Sequence, residues 1–268
     1  MDLMQVYHIY EIGGKNNQED FIWPTPGSAD INDKIFIVCD GVGGSDNGEI
    51  ASKIIAETTG LMLVNEKSGL DQSLITLALK HAHSELIEYA SNYGLGNDMA
   101  TTFTLLTLND TDNSAIVAWC GDSRVYHFRK GQVLYKTSDH SLVNSLVKSG
   151  ELSEEEALTH PRKNIILRAI KANQLDVDPA FHTISDIQEG DYFMLCTDGL
   201  LENVSDSLFC DILERHDNAN LNIVDELQRY CLGATRDNYS MYLIQIKKAS
   251  NSSYEMKLSE DTTVKDII

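Results

Sequence analysis

Three apolar stretches of the sequence each place an aspartate at or just beyond one end. These aspartates are Asp40, Asp122 and Asp198. The first stretch, residues 35–39, is short and rich in β-branched residues, a pattern typical of a buried strand. A carboxylate at the end of such a strand has its backbone fixed by the packing behind it. The three aspartates are therefore candidate ligands for Mg²⁺ or Mn²⁺, which prefer oxygen donors.

Further oxygen donors lie at other predicted strand ends. Glu19 and Asp20 close an early polar loop, and Asp237 comes just before the last apolar run. Gly41, directly after Asp40, can turn its backbone carbonyl inward because it has no side chain to block a close approach. A single Asp-Gly pair is more often a simple turn, but here the arrangement recurs. The pattern favours a divalent metal site, although spacing alone leaves open which of these groups meet.

Composition restricts the class of partner. The chain has 268 residues, with 41 acidic residues against 21 basic ones and a net charge of −20. This balance argues against nucleic acid or an anionic membrane as the main partner, because phosphate backbones are bound by Lys and Arg. It suits a protein that collects cations. A phosphorylated substrate would need metal ions to offset the negative charge of the protein.

Several other chemistries lack their motifs. The sequence contains no Gly-x-Ser-x-Gly turn, no Walker loop and no zinc-type spacing of His and Cys. The five cysteines show no Cys-x-x-Cys pair, which is typical of a reducing cytosol. We find no signal-peptide pattern and no apolar run near the ~20 residues that a membrane span needs. The sequence therefore predicts a cytoplasmic protein with no membrane contact.

The predicted elements suggest an α+β fold. Runs of adjacent strands favour antiparallel sheets with helices outside them rather than alternating parallel units. Residues 138–180 show only short helical pieces and resemble an insertion, and strands resume at residue 192. The polar residues 248–268 are expected to be a tail. Strands are expected at residues 6–12, 35–39, 99–108, 115–120, 124–128, 132–136, 192–196 and 241–246. Helices are expected at residues 71–93, 206–215 and 223–231. A further helix should follow an Asp46-Asn47 cap, and a capping box at Ser153 and Glu156 should open a short one.

A set of motifs then occurs in one order along the chain. It comprises Asp40-Gly41-Val42-Gly43-Gly44, Thr101-Thr102, Gly121-Asp122-Ser123-Arg124, Thr137-Ser138-Asp139-His140-Ser141, His160-Pro161-Arg162-Lys163-Asn164, Cys196-Thr197-Asp198-Gly199 and Arg236-Asp237-Asn238. In this order the sequence resembles the type 2C metal-dependent Ser/Thr protein phosphatases of the bacterial kind. The resemblance covers residues 5–247.

The resemblance implies a fold and a set of site roles. The fold is a four-layer α/β/β/α sandwich, in which two antiparallel sheets are flanked by helices and a binuclear metal site lies at one end. The phosphatase domain spans residues 1–247, with a flap-like insertion at 138–180. Two Mn²⁺ or Mg²⁺ ions would activate a water that attacks phosphorus. By this resemblance Asp40 would bridge both ions and Gly41 would offer its carbonyl. Asp198 and Asp237 would hold one ion, and Glu19 and Asp20 would hold water around the other. Asp122 would serve a third, weaker ion.

Lys15 stands where the family carries its phosphate-binding arginine. It is expected to bind the substrate phosphate from a loosely held loop, since it follows Gly13-Gly14. The resemblance further implies phosphorylated protein substrates, a cognate Ser/Thr kinase and a monomeric enzyme. A second hypothesis is a catalytically weak, phosphatase-like module that binds and senses a partner. The full set of metal-binding aspartates favours the active phosphatase.

Overall fold

Two five-stranded antiparallel sheets organise the chain. The computed structural model describes residues 1–42, 47–66, 69–95, 99–219 and 222–248. The first sheet has the strand order β1-β12-β11-β7-β8 and the second has the order β10-β6-β5-β3-β2, while β4 and β9 form a small pair. The strands are β1 (Asp2–Glu11), β2 (Asp20–Trp23), β3 (Ile35–Asp40), β4 (Ala100–Thr101), β5 (Phe103–Asn109), β6 (Ser114–Cys120), β7 (Arg124–Arg129), β8 (Gln132–Lys136), β9 (Ile170–Lys171), β10 (Ala180–Ile184), β11 (Tyr192–Cys196) and β12 (Tyr239–Lys248).

Seven helices lie within the described residues, and the main ones are amphipathic. The predicted helix at 71–93 is confirmed as α2, with Asp71 accepting a hydrogen bond from Leu74 N at its start. The capping box at Ser153 and Glu156 is also confirmed. The helices are α1 (Gly48–Val64), α2 (Gln72–Asn92), α3 (Leu142–Ser149), α4 (Glu154–Thr159), α5 (Asp198–Leu201), α6 (Asp206–Ala219) and α7 (Ile223–Cys231).

Side-chain alternation along the central strands divides the core into three clusters. Phe36 and Val38 of β3 share one cluster with Phe193 of β11, so this cluster contains residues of both sheets. The intervening Ile37 belongs to a cluster that includes α1 and α2. Met194 of β11 belongs to a third cluster, with residues of α6 and α7. Both faces of these strands are buried, which explains why their sequences are continuously apolar. The α+β prediction with antiparallel sheets is confirmed.

Four local predictions differ from the structure. The expected strand at 99–108 is divided at Thr102, whose backbone N–H donates to Asp40 O at 2.8 Å. Strands resume at β9 (Ile170–Lys171) and β10 (Ala180–Ile184) rather than at residue 192, because these segments pair with β4 and β6. Asn47 occupies the cap position of α1 with φ of 76° but makes no side-chain cap hydrogen bond. Lys248 belongs to β12 rather than to the tail.

Two predictions concern parts of the chain outside the described residues. The first is the helix cap at Asp46, the residue expected to act together with Asn47. The second is the tail, whose remaining positions are 249–268. Within the described ranges, no helix combines the length and the apolar character needed to cross a membrane.

Candidate metal centre

Asp40 occupies the last position of β3, where its backbone is fixed on both sides. It is paired in register with Asp20 of β2. Asp40 N donates to Thr102 Oγ1 at 2.9 Å, and Asp40 O accepts from Thr101 Oγ1 at 2.9 Å. These contacts and the Thr102 N–H explain why β4 and β5 are separated. The backbone hydrogen bonds hold Asp40 in place, so the position from which its side chain extends is fixed.

The residue after Asp40 must be glycine. A Cβ on Gly41 would lie 2.4 Å from the carbonyl carbon and oxygen of Gly48 and 2.7 Å from Glu19 O. Gly41 N donates to Glu19 O at 3.0 Å, and Ser52 Oγ donates to the same carbonyl at 2.6 Å. The start of α1, the end of β3 and the Glu19 loop therefore meet within van der Waals contact at Gly41.

Asp198 and Asp237 lie near one another because the residues that follow them, Gly199 and Asn238, are in close contact. Asp198 is the first residue of α5, directly after β11 and Thr197. A Cβ on Gly199 would lie 2.0 Å from Asn238 O and 3.3 Å from Asp237 Cβ, so only glycine permits this approach. Thr197 Oγ1 donates to Asp20 Oδ2 at 3.0 Å, which joins the end of β11 in one sheet to β2 in the other.

Asp122 lies in the turn between β6 and β7. The hydroxyls of Ser123 and Thr102 are hydrogen-bonded at 2.7 Å, so this turn is connected to the residues that hold Asp40. On its other side, Gly121 N donates to His140 Nδ1 at 3.2 Å and Gly121 O accepts from His140 N at 2.8 Å. The turn is thereby fixed to Thr102 on one side and to His140 on the other.

The carboxylates affect one another electrostatically. Burial raises the pKa of Asp40 well above its ordinary value, and the charges of Asp20, Asp198, Asp122 and Asp237 raise it further. Burial and the charge of Asp198 also raise the pKa of Asp20 and of Asp122 to about 7. Burial and then Asp237 raise the pKa of Asp198. Gathering these groups away from water disfavours their charged forms, and bound cations would reverse that effect.

The donor set fits a divalent cation. Asp20 Oδ1 and Asp122 Oδ1 are buried and accept no hydrogen bond from the described residues, although buried carboxylate oxygens normally have partners. They are hard oxygen donors of the kind that Mg²⁺ and Mn²⁺ bind. Within the described ranges, no group of three or more His, Cys, Asp or Glu side chains is arranged so that it could already hold a metal ion. The ligand roles of individual residues therefore stay predictions.

The loop that carries Lys15 is anchored, contrary to the expectation of a loosely held backbone. The Asn238 side chain donates to Ile12 O at 2.8 Å and to Asn17 O at 2.9 Å, and accepts from Glu19 N at 2.8 Å. Lys15 Nζ lies 2.8 Å from Asp237 Oδ1. The glycine pair before Lys15 suggested freedom, but the side chain that fixes the loop lies more than 200 residues away in the sequence.

Three positioning groups were not recognised from the sequence. Asn238, the Thr101-Thr102 pair and His140 belong to the family motifs, yet their residue types alone indicated no role for them. Each is a polar residue next to a strand end or a turn that carries an aspartate. Asn238 and both threonines are buried. Polar residues at such positions could have indicated hydrogen bonds to the backbone of the site, because buried polar groups are normally satisfied.

Comparisons with known proteins agree with this geometry. The family model described as Protein phosphatase 2C matches residues 10–230. Protein phosphatase PhpP of Streptococcus pneumoniae serotype 2 is 34% identical over 216 residues, covering 78% of this chain and 84% of that protein. The structure of the serine/threonine phosphatase Stp1 from Staphylococcus aureus has a TM-score of 0.78 at 27% identity, covering 92% of this chain and 98% of that one. The catalytic domain of the phosphatase PstP, in complex with two manganese ions, shares the fold with a TM-score of 0.76 at 23% identity, covering 92% of this chain and 100% of that one.

The fold and the family match together define a metal-dependent phosphatase. The chain belongs to the protein phosphatase 2C family. It hydrolyses phosphoserine and phosphothreonine in phosphorylated proteins and uses Mn²⁺ or Mg²⁺. These predictions are confirmed. The alternative of a catalytically weak sensor module is not favoured, because the relatives are named as phosphatases.

Proposed function

We propose that the strand-end carboxylates form a binuclear metal centre with a third, weaker position. Asp40 would bridge the two core ions and Gly41 would offer its carbonyl oxygen. Asp198 and Asp237 would hold one ion. Glu19 and Asp20 would orient water around the other, and Asp122 would serve the third position. The observation that carries this proposal is the buried, unpartnered oxygen on both Asp20 and Asp122, beside carboxylates that raise one another's pKa.

Each part of the chain has a separate task in the reaction. The bound ions would supply an activated water and would offset the charge of the phosphate. Asp40, whose backbone is held by the Thr101-Thr102 pair, would place its carboxylate at the centre. Lys15 would bind a phosphate oxygen of the substrate. A lysine provides one compact charge on a flexible stem, so this contact is weaker than the two-pronged contact of an arginine.

The wider organisation follows the same proposal. The three core clusters support a four-layer α/β/β/α sandwich with the metal centre at one end. The phosphatase domain would comprise residues 1–248, because Lys248 belongs to β12, with 249–268 as a tail. Residues 138–180 would act as a flap that shapes the choice of protein substrate rather than the chemistry, because connecting segments beside a site commonly carry specificity.

The physiological setting is also a proposal. The enzyme would act in the cytoplasm as a monomer, opposite a cognate Ser/Thr kinase, without binding nucleic acid or membrane. The net charge of −20 supports the last point, since anionic polymers and surfaces repel such a protein. The two manganese ions described for PstP support the choice of metal.

Metal removal tests the proposed centre. In excess EDTA we expect no turnover of an aryl phosphate or a phosphopeptide. Mn²⁺ or Mg²⁺ should restore turnover and Ca²⁺ should not, because Ca²⁺ binds oxygen more loosely and activates water less. Mn²⁺ should also raise the melting temperature of the metal-free protein, since it binds only the folded state and relieves repulsion among the carboxylates.

A second test of the metal centre, by calorimetry, does not depend on activity. Calorimetry of the metal-free protein should give at least two Mn²⁺ ions per chain. Full turnover in chelator, or a stoichiometry below two, would contradict the binuclear proposal. The Asp211→Asn variant, changed at an exposed carboxylate of α6, serves as the control and should bind Mn²⁺ like the parent.

A further inference from the structure

Residues 157–175, here called the basic segment, have an unusual charge for this chain. The segment contains four of the 21 basic residues and none of the 41 acidic ones. The three glutamates of α4 come directly before it, so the positive charge begins abruptly. In a protein with a net charge of −20, such a segment is a local concentration of positive charge. Its basic residues are Arg162, Lys163, Arg168 and Lys171.

Two of these side chains are available to a partner. Arg162 and Lys163 are exposed, and neither forms an ion pair with any described residue. Their backbones are ordered by the turn before them: Arg162 N donates to His160 Nδ1 at 3.1 Å and Lys163 N donates to His160 O at 3.1 Å. Arg168 is different, because its guanidinium contacts the backbone carbonyl and the carboxylate of Asp178.

The basic segment is attached to the candidate metal centre at two points. Leu167 N donates to His140 O at 2.7 Å, and His140 in turn makes two hydrogen bonds with Gly121, the neighbour of Asp122. Further along, Ile170 pairs with Thr101, which contacts Asp40. A chain that extends outward from the metal centre on this side therefore meets the basic segment.

Apolar side chains accompany the charges. Leu158, Ile165 and Leu167 have exposed fractions of 73%, 41% and 51%. An exposed surface with both apolar and basic residues suits a peptide that carries acidic and apolar side chains. Because the segment adjoins the turn that carries Asp122, a protein substrate is favoured over a lipid surface.

We propose that the basic segment binds the acidic residues that flank the phosphorylated residue of a protein substrate. Arg162 and Lys163 make the contacts. This inference rests on the proposed function, since it assigns a preference to the same site. It gives the negatively charged enzyme a way to accept acidic phosphoproteins, and it predicts an effect on substrate binding rather than on the chemical step.

A matched pair of phosphothreonine peptides tests the inference. The two peptides differ only in their flanking residues, which are Asp and Glu in one and Lys and Arg in the other. At low salt the parent should have a KM about five-fold lower for the acidic peptide, with a similar kcat, because two partly exposed ion pairs make a modest contribution. The preference should shrink in about 0.3 M salt as these charges are screened.

Charge reversal identifies the residues responsible. The Arg162→Glu/Lys163→Glu variant should lose or invert the preference when each rate is divided by that variant's own turnover of an aryl phosphate. The control, Lys53→Glu/Lys247→Glu, makes the same charge change at two exposed lysines and should keep the preference of the parent. Equal KM values for both peptides in the parent would overturn the inference, as would a charge-reversed variant that still prefers the acidic peptide.

A failure of this inference is distinguishable from a failure of the proposed function. Absence of turnover on every substrate with Mn²⁺ would contradict the proposed function itself, whereas turnover without preference would contradict only the inference. Sedimentation with phosphatidylserine vesicles tests a membrane as the partner. Vesicle binding by the parent that is lost on charge reversal, together with no peptide preference, would assign the basic segment to an anionic membrane and overturn the inference.

Discussion

At the scale of single residues, Asp40 shows how a common pattern acquires a special role. An Asp-Gly pair after a strand is usually a turn, whereas Gly41 in this chain forms a β-bridge with Thr101. What distinguishes Asp40 is its surroundings. Thr101 and Thr102 hold its backbone, Asp20 lies opposite in the adjacent strand, and burial raises its pKa well above the ordinary value. A carboxylate held in this way is arranged for a cation rather than for solvent.

The first residue-scale prediction concerns Asp40 itself. Asp40→Asn keeps the shape of the side chain but removes the charge that would contact both core ions. We expect turnover to fall by orders of magnitude, with weaker Mn²⁺ binding or a lower stoichiometry in calorimetry. The Asp211→Asn control should behave like the parent. Unchanged Mn²⁺ stoichiometry and affinity in Asp40→Asn would show that its assignment as the bridging ligand is wrong.

The second residue-scale prediction concerns Lys15, which lies 2.8 Å from Asp237. Lys15→Ala should raise KM for a phosphopeptide several-fold, which corresponds to ~1–2 kcal/mol for a lost charge-assisted hydrogen bond. Lys15→Arg should lower KM or raise kcat/KM, because a guanidinium offers two parallel donors. Mn²⁺ affinity should not weaken in either variant, since Lys15 competes for Asp237 rather than assisting a metal.

Steady-state kinetics at saturating Mn²⁺ decides this point. Lys53→Ala, at an exposed position of α1, is the matched control and should leave KM unchanged. If Lys15→Ala has the kinetic constants of the parent, phosphate is bound by the metals alone and Lys15 is a surface residue paired with Asp237.

At the scale of elements, the loop between β1 and β2 depends on the residue directly before β12. Three hydrogen bonds connect the Asn238 side chain to Ile12, Asn17 and Glu19. This loop carries Lys15 and ends in two of the candidate water-holding carboxylates. One buried amide thus joins the first loop of the chain to its last strand, and a local change at Asn238 should release the whole loop.

We predict that Asn238→Ala frees this loop. Trypsin should cleave after Lys15 faster than in the parent, because cleavage needs an opened segment. The KM for phosphopeptide should rise, and this rise should largely disappear in a Lys15→Ala background if Asn238 acts by placing Lys15. The Asn113→Ala control removes a similar side-chain hydrogen bond, to Ile187 O at 2.9 Å, in the turn between β5 and β6. Equal trypsin cleavage in Asn238→Ala and the parent would contradict the prediction.

At the scale of the whole molecule, a buried ion cluster stabilises the end of the first sheet away from Asp198. Burial tends to raise the pKa of Asp191, but hydrogen bonds from Arg129 and His127 outweigh it, so the pKa of Asp191 lies below its ordinary value. Arg129 Nε lies 2.7 Å from Asp191 Oδ1, and His127 Nε2 lies 2.7 Å from Asp191 Oδ2. The stabilisation from this cluster is present above the ordinary aspartate pKa and is lost as the pH falls through the lowered value.

Asp191→Asn should therefore lower the free energy of unfolding at pH 7 by about 3 kcal/mol, since it leaves buried groups without their charged partner. The difference from the parent should shrink as the pH falls from about 4 through the lowered pKa of Asp191. Urea unfolding at several pH values measures this dependence. The Asp186→Asn control alters an exposed partner of the same Arg129 and should have no measurable effect. A difference that stays constant down to about pH 2 would contradict the prediction.

Much of this protein follows from its sequence alone. Continuous apolar runs gave the central strands because both of their faces are buried, and helical spacing gave α2 and α7 closely. The order of the motifs gave the family, since many short signals in one sequence are specific even where each is weak. Strand-end aspartates indicated metal chemistry, because the same arrangement recurs at several apolar runs and offers several oxygen donors.

How these groups are held depends on contacts that form only in the folded chain. Asn238 fixes the Lys15 loop from the other end of the chain. The predicted strand is interrupted at Thr102, which forms hydrogen bonds with the backbone of Asp40. The segment Ala180–Ile184 becomes a strand because the edge of β6 is available to it, not because of its own sequence. Local sequence patterns report propensity and burial. These contacts instead depend on which distant segments share a sheet edge, and this pairing is determined only when the two sheets form.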